Sequence, residues 1–220
     1  MARAAAAPVV PLLPAYWDEA CRHLSKRDRV MKRLIPQCGE GCLQSRGDAF
    51  TTLARSVVGQ QISVKAAQSV WDRFAAAVGG PSHCLAPARV AALQVDAMRA
   101  AGLSARKTEY LRDLALRFGD GRVSPSAWPE MDDEAIIGEL VAIRGIGRWT
   151  AEMFLIFHLL RPNVLPLDDL GLLKGISQLY FSGEPVSRAE AREVGEGWAP
   201  YRSVATWYIW RSLDPLPVEY

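Results

Sequence analysis

Apolar residues in this chain recur at intervals of three and four almost throughout, and no two period-two stretches are joined by a hairpin signal. Leu53 and Val57, then Val64, Ala67, Trp71, Phe74 and Val78, carry the pattern. Glycine and proline punctuate it at Gly59, Gly79-Gly80-Pro81, Gly119-Asp120-Gly121, Gly145 with Gly147, and Gly183-Glu184-Pro185. Such a chain folds all-α, as roughly eight to eleven short helices at ~11–12 residues each plus a connection. Its 220 residues suffice to bury a core without disulfide or metal staples. With no repeat and no long linker, residues 16–220 read as one domain. Residues 1–15, broken by Pro8, Pro11 and Pro14, read as an extended lead-in rather than a signal peptide.

Charge and cysteine content narrow the classes further. A net charge of +2 is too small for a polybasic nucleic-acid binder, though it leaves room for a local basic surface. No apolar run approaches the ~18–20 residues that span a bilayer, so no membrane role is expected. Four cysteines, Cys21, Cys38, Cys42 and Cys84, make no disulfide framework in a chain of this length, and a reducing cytoplasm is the expected setting. Cys38 and Cys42 flank Gly-Glu-Gly, with no histidine close in sequence, and read as a loop with two free thiols rather than a zinc site. Neither metal nor cofactor is expected.

Several helix starts are marked. Ser187 with Glu190 forms an S-x-x-E capping box, Ser63 can cap a helix from Val64, and Pro200 suits the first position of a helix over Tyr201–Ser212. Tyr16–Leu34 reads as helix. One helix ends near Val58, so Gly59, Gln60, Gln61 and Ile62 form a tight interhelix loop.

The most informative stretch is Leu140–Phe157. A helix ending at Ile143 or Arg144, a Gly145-Ile146-Gly147 turn and an immediate second helix make a helical hairpin. The second helix would present its first amides and positive dipole end outward, with Arg148 beside them, a ready grip for phosphate that reads no sequence. An ordinary αα-hairpin with glycine at the bend would carry the same letters. Downstream, Pro166-Leu167-Asp168-Asp169 opens another apolar-periodic run, and an aspartate there also serves as a plain helix cap.

Taken together, GIGRWTAEMF at 145–154 and LPLDDLGLLKG at 165–175 resemble the helix-hairpin-helix DNA glycosylase superfamily (HhH-GPD), more narrowly its DNA-3-methyladenine glycosylase II branch. ARSVVGQQISVKAA at 54–67 is similar to the family's loop that enters the duplex, and GLSARKTEYL at 102–111 to its G-L-S-x-x-K-x-x-Y-L segment. The resemblance runs from about residue 48 to 212, with the four motifs in the family's order. Too few residues precede Phe50 for the N-terminal β domain of some members. The implied fold has two helical subdomains, the central one over about 50–160, with the active-site cleft between them.

The resemblance implies a glycosylase that flips an alkylated purine, 3-methyladenine or 7-methylguanine, out of double-stranded DNA and hydrolyses its glycosidic bond, acting as a monomer and associated with the nucleoid; the alternatives are a glycosylase of the same fold for an oxidised or deaminated base, or a non-catalytic helix-hairpin-helix DNA-binding module. It implies Gln61 as the wedge with Gln60 beside it, and Ser63, Lys107, Gly145, Ile146, Gly147, Arg148 and Thr150 at the DNA. Trp149 and Trp210 would wall the base pocket, with Trp198 and Tyr201 nearby, their electron-rich faces attracting a cationic base by ~0.5–2 kcal/mol each. Trp71 is expected in the core. Trp149 stands where the lyase branch has its lysine nucleophile, which implies a monofunctional enzyme. One carboxylate would stabilise the oxocarbenium-like sugar and orient water. Counting from Gly145, and by the following Leu170-Gly171, it is Asp169; alignment on Pro166 favours Asp168. Successive residues at a helix start point ~100° apart, so only one is expected to face the sugar while the other caps, pairs or meets solvent.

Overall fold

The computed structural model of the protein describes residues 13–39, 41–45, 47–80 and 84–214. Most of the expected lead-in lies outside the described residues. Those residues hold twelve α-helices and no β-strand, one helix more than the periodicity predicts at most: α1 Trp17–Arg27, α2 Arg29–Leu34, α3 Ala49–Gly59, α4 Val64–Val78, α5 Pro87–Ala92, α6 Val95–Ala100, α7 Ala105–Gly119, α8 Asp133–Val141, α9 Arg148–Phe157, α10 Leu170–Tyr180, α11 Arg188–Glu196 and α12 Arg202–Leu213. No helix among them is long and apolar enough to cross a membrane.

The extra break is Asp28, which interrupts the helix expected over Tyr16–Leu34. Its backbone is extended, and its Oδ1 accepts from the amides of Val30 (2.7 Å) and Met31 (3.0 Å), so it caps α2. Its Oδ2 accepts from the Tyr180 hydroxyl of α10 (2.7 Å) and the Trp198 indole (3.1 Å). One carboxylate thus joins the N-terminal helices to the C-terminal part of the chain. Other capping follows the sequence: Ser187 and Glu190 form the reciprocal box at α11, and the Ser63 hydroxyl accepts from the Ala66 amide at α4. Pro200 lies ahead of the N-cap Tyr201 instead of at the first helical position, so α12 starts at Arg202.

Helices α3 to α7 pack on one another, α1, α2, α10 and α12 pack on one another, and α8 pairs with α9. The last turn of α9 reaches the second group, where the Phe157 ring lies flat on Trp210 of α12 (5.6 Å between centroids, 10° between planes). The segment joining α9 to α10 is pinned by Ser203, whose hydroxyl donates to the Arg161 carbonyl (2.6 Å) and accepts from the Val164 amide (3.0 Å). Buried apolar side chains form one continuous core, and Trp71 is in it. Val64 breaks the expected stripe: at the first turn of α4 it is 89% exposed.

His158, just past α9, packs flat on Phe154 (4.6 Å), and its Nδ1 lies 3.3 Å from the Thr52 hydroxyl of α3. Burial holds its pKa below the usual imidazole value, with Asp48 opposing weakly. The neutral ring is therefore favoured by folding. Its contribution is complete above the unfolded-state pKa of ~6.5 and is lost as pH falls toward the lower folded value. Thermal unfolding followed from pH 7.5 to 5.5 should show the wild-type midpoint dropping more than that of His158→Gln; parallel curves would remove His158 from the acid-sensitive groups.

Candidate active site

The hairpin turn is built around Gly145. Its φ is +85°, and a Cβ added there would fall inside the Tyr110 ring of α7. Gly147 is the N-cap of α9, and no side chain caps that helix, so its first-turn amides are left to face outward at the positive end of the dipole. Ile146 and Thr150 are buried, which leaves only their backbones to serve an approaching strand.

Arg148 is placed differently from the sequence expectation of a free phosphate ligand. Its guanidinium donates to both carboxylate oxygens of Glu134 on α8 and, through Nε, to Glu152 Oε1 one turn along α9 (2.9 Å). Both carboxylates raise its pKa, Glu134 most. Antiparallel packing of α8 on α9 brings Glu134 alongside, so Arg148 clamps the hairpin internally.

The loop after α3 meets this turn directly. The Gln60 side chain donates from Nε2 to the Gly145 carbonyl (2.9 Å), so Gln60 is turned inward. Gln61 has φ +58° and is exposed, flanked by the exposed Ile62 and Val64. Val64 continues the helical stripe of α4 by spacing, whereas Ile62 stands in the loop beside the glutamines. Lys107 also departs from expectation. Its Nζ donates to the carbonyls of Val58 and Gln60, both at 2.8 Å, closing the C-terminal end of α3.

Asp169 is where the remaining elements converge. As N-cap of α10, its Oδ1 accepts from the Leu172 amide (2.6 Å) and from Nε1 of Trp210 on α12 (2.8 Å). Its Oδ2 accepts from Nε1 of Trp149 on α9 (2.9 Å). Two indoles from different helices are thus tied edge-on to one carboxylate. Trp149 is 38% exposed and Trp210 9% exposed, so one wall is open and the other lies deep on Phe157. Gly171 makes room: a Cβ there would stand 3.1 Å from Asp169 Oδ1 and 3.3 Å from the Trp210 ring. Leu170, 80% exposed, borders Asp169 on the solvent side. Asp169 caps α10 with one oxygen and holds Trp149 with the other, so capping does not take it out of the site. Asp168 instead pairs with Arg188 at 2.7 Å on the surface.

Two other expected pocket residues are elsewhere. Trp198 is fully buried, its indole donating to Asp28 and to the Tyr180 hydroxyl (3.2 Å), and belongs to the core. Tyr201, at the start of α12, stacks on Tyr16 (6.2 Å), nine residues and ~13 Å of helix from Trp210. Aromatic spacing alone could not separate these depths. Cys38 and Cys42 are free thiols, and among the described residues no three His, Cys, Asp or Glu side chains are placed to hold a metal.

The geometry of the turn predicts an asymmetry between its glycines. Gly145→Ala should cost ~1–2 kcal/mol from the left-handed backbone alone, and more from the collision with Tyr110. Gly147→Ala, at φ −91° with open space around it, should cost clearly less. Denaturant unfolding of both variants checks this, and equal losses would show that the turn can widen around an added methyl.

Residues 54–200 match the HhH-GPD superfamily of base excision DNA repair proteins. DNA-3-methyladenine glycosylase 1 of Schizosaccharomyces pombe is 32% identical over 194 residues, spanning 86% of this chain and 85% of that protein. DNA-3-methyladenine glycosylase 2 of Escherichia coli is 32% identical over 186 residues, 81% of this chain but 61% of that protein. Among solved structures, the DNA-3-methyladenine glycosidase of Bacillus halodurans superposes with a TM-score of 0.83 at 33% identity, covering 93% of both chains. The S. pombe 3-methyladenine DNA glycosylase Mag1, solved in complex with abasic DNA, gives a TM-score of 0.77 at 32% identity over 91% of this chain and 100% of that one. The all-α architecture, the hairpin and the matched span agree, and the chain belongs to the HhH-GPD superfamily of base excision DNA repair proteins.

Proposed function

We propose that this protein is a monofunctional DNA glycosylase that extrudes alkylated purines, 3-methyladenine and 7-methylguanine, from double-stranded DNA and hydrolyses the N-glycosidic bond. The observation that carries the reading is the single carboxylate of Asp169 held between the indoles of Trp149 and Trp210. The names of the relatives in yeast and bacteria support the substrate class.

The proposed mechanism begins with the hairpin amides at Gly147–Thr150 gripping phosphates of one strand, without reading sequence. Gln61, exposed on its loop, fills the space left by the extruded nucleotide, whose unstacking costs a few kcal/mol. The base enters against Trp149 and Trp210. An N-alkylated purine is cationic, and the indole faces attract it. The same positive charge weakens the glycosidic bond, because the base departs neutral. Positive charge then develops on the sugar, where Asp169 stabilises it and orients the attacking water. No general acid is needed for such a leaving group. In this reading the protein acts as a monomer.

The position that a lyase would fill with lysine holds Trp149. Lys107 is engaged by two backbone carbonyls, and Lys174 is exposed on α10, beyond the cap. Incubation with alkylated duplex DNA should therefore release free 3-methyladenine and 7-methylguanine, leave strands intact until hot alkali, and give no borohydride-trapped adduct. Absence of released alkylpurine would reject the substrate class, and a trapped adduct would reject the monofunctional mechanism.

A further inference from the structure

The chain holds an arrangement that neither phosphate contact nor base recognition accounts for. The last carbonyls of a helix lack intrahelical partners. At α3 two of the terminal carbonyl groups, Val58 and Gln60, are taken by Lys107 Nζ at 2.8 Å each. The Gln60 carbonyl belongs to the peptide group that directly precedes Gln61. Holding that plane fixes the side from which the next N–Cα rotation is measured, and that rotation is the one at φ +58°. A non-glycine residue there costs roughly 1–2 kcal/mol, so neighbours must hold it.

The same face of α7 also supports the hairpin. Tyr110 lies three residues from Lys107, on the same side of the helix, and its ring is what Gly145 packs against. Gln60 completes the link by donating to the Gly145 carbonyl at 2.9 Å. The loop and the hairpin turn are thus mounted on adjacent turns of one helix and tied to each other by a side-chain amide.

We propose that Lys107 is a positioning residue and not a DNA ligand: by fixing the Gln60–Gln61 peptide, it sets where Gln61 stands relative to the hairpin that grips the backbone. Phosphate grip and duplex penetration then keep a fixed offset, and the enzyme need not order the loop while extruding a base. Burial of the ammonium, which lowers its pKa, accords with a group turned inward to carbonyls. The inference rests on the glycosylase reading above.

The test compares wild type with Lys107→Met, which keeps the aliphatic stem and removes the donors. Release of 7-methylguanine is measured from two duplexes that differ only opposite the lesion, in cytosine or an abasic position. Extrusion is easier where the partner base is missing. The variant should lose about tenfold or more opposite cytosine and stay within about threefold of wild type opposite the abasic position. The salt dependence of binding to abasic duplex should keep its slope. A slope shallower by about one unit would make Lys107 a phosphate ligand. Equal losses on both duplexes would make it merely structural, and no loss on either would remove the role; each result overturns the proposal. Should Lys107→Met fold poorly by thermal unfolding, Lys107→Gln, which shortens the donor and removes its charge, takes its place and must show the same duplex-dependent loss. A wild-type protein inactive on both duplexes would reject the glycosylase reading itself.

Discussion

The carboxylate of Asp169 is the point through which three helices set the geometry of the site. It caps α10, and through its two oxygens it fixes the indole of Trp149 at the start of α9 and that of Trp210 near the end of α12. Removing it would take away a helix cap and the acceptors of both rings at once. The space it occupies is kept open by Gly171, since a methyl there would press on both the carboxylate and Trp210. Preorganisation of this kind matters most where charge develops in the reaction, because a fixed dipole or anion needs no reorganisation at the moment of bond breaking.

Around that point the chain divides its tasks by depth. Phe157 backs Trp210, while Trp149 stays partly open to solvent. Arg148 spends its donors on Glu134 and Glu152, which fixes α9 against α8 and thereby fixes Trp149, its neighbour in sequence. On the far side Asp28 repeats the device of one carboxylate doing two things, capping α2 while accepting from Tyr180 and Trp198. Both aspartates join elements distant in sequence through caps that a local reading treats as purely local.

That difference explains what could be read from the letters. The hairpin and the caps at Ser63 and Ser187 rest on short-range patterns, and the structure places them accordingly. Residues whose partners lie far along the chain were not legible. Arg148 looked free because Glu134 precedes it by fourteen residues on a helix that folds back beside it. The resemblance put Lys107 at the DNA, whereas α3 delivers two carbonyls to it from some fifty residues upstream. Trp198 and Tyr201 share the aromatic character of Trp210, and only tertiary packing separates a core ring from a pocket wall. Val64 belonged to an apolar stripe by spacing, yet the loop before it lifts the first turn of α4 into solvent.

In the proposed mechanism the carboxylate tied to both tryptophans carries the chemistry, while its neighbour is a surface ion pair. Single-turnover release of 3-methyladenine by Asp169→Asn and by Asp168→Asn tests it directly, because asparagine retains an oxygen to cap α10 in the first case and removes only the pairing with Arg188 in the second. Loss of ~10²–10³ or more in rate for Asp169→Asn, with abasic DNA still bound and Asp168→Asn near wild type, is the expected result. Full activity in Asp169→Asn with loss in Asp168→Asn would contradict the account and move the chemistry to the other carboxylate.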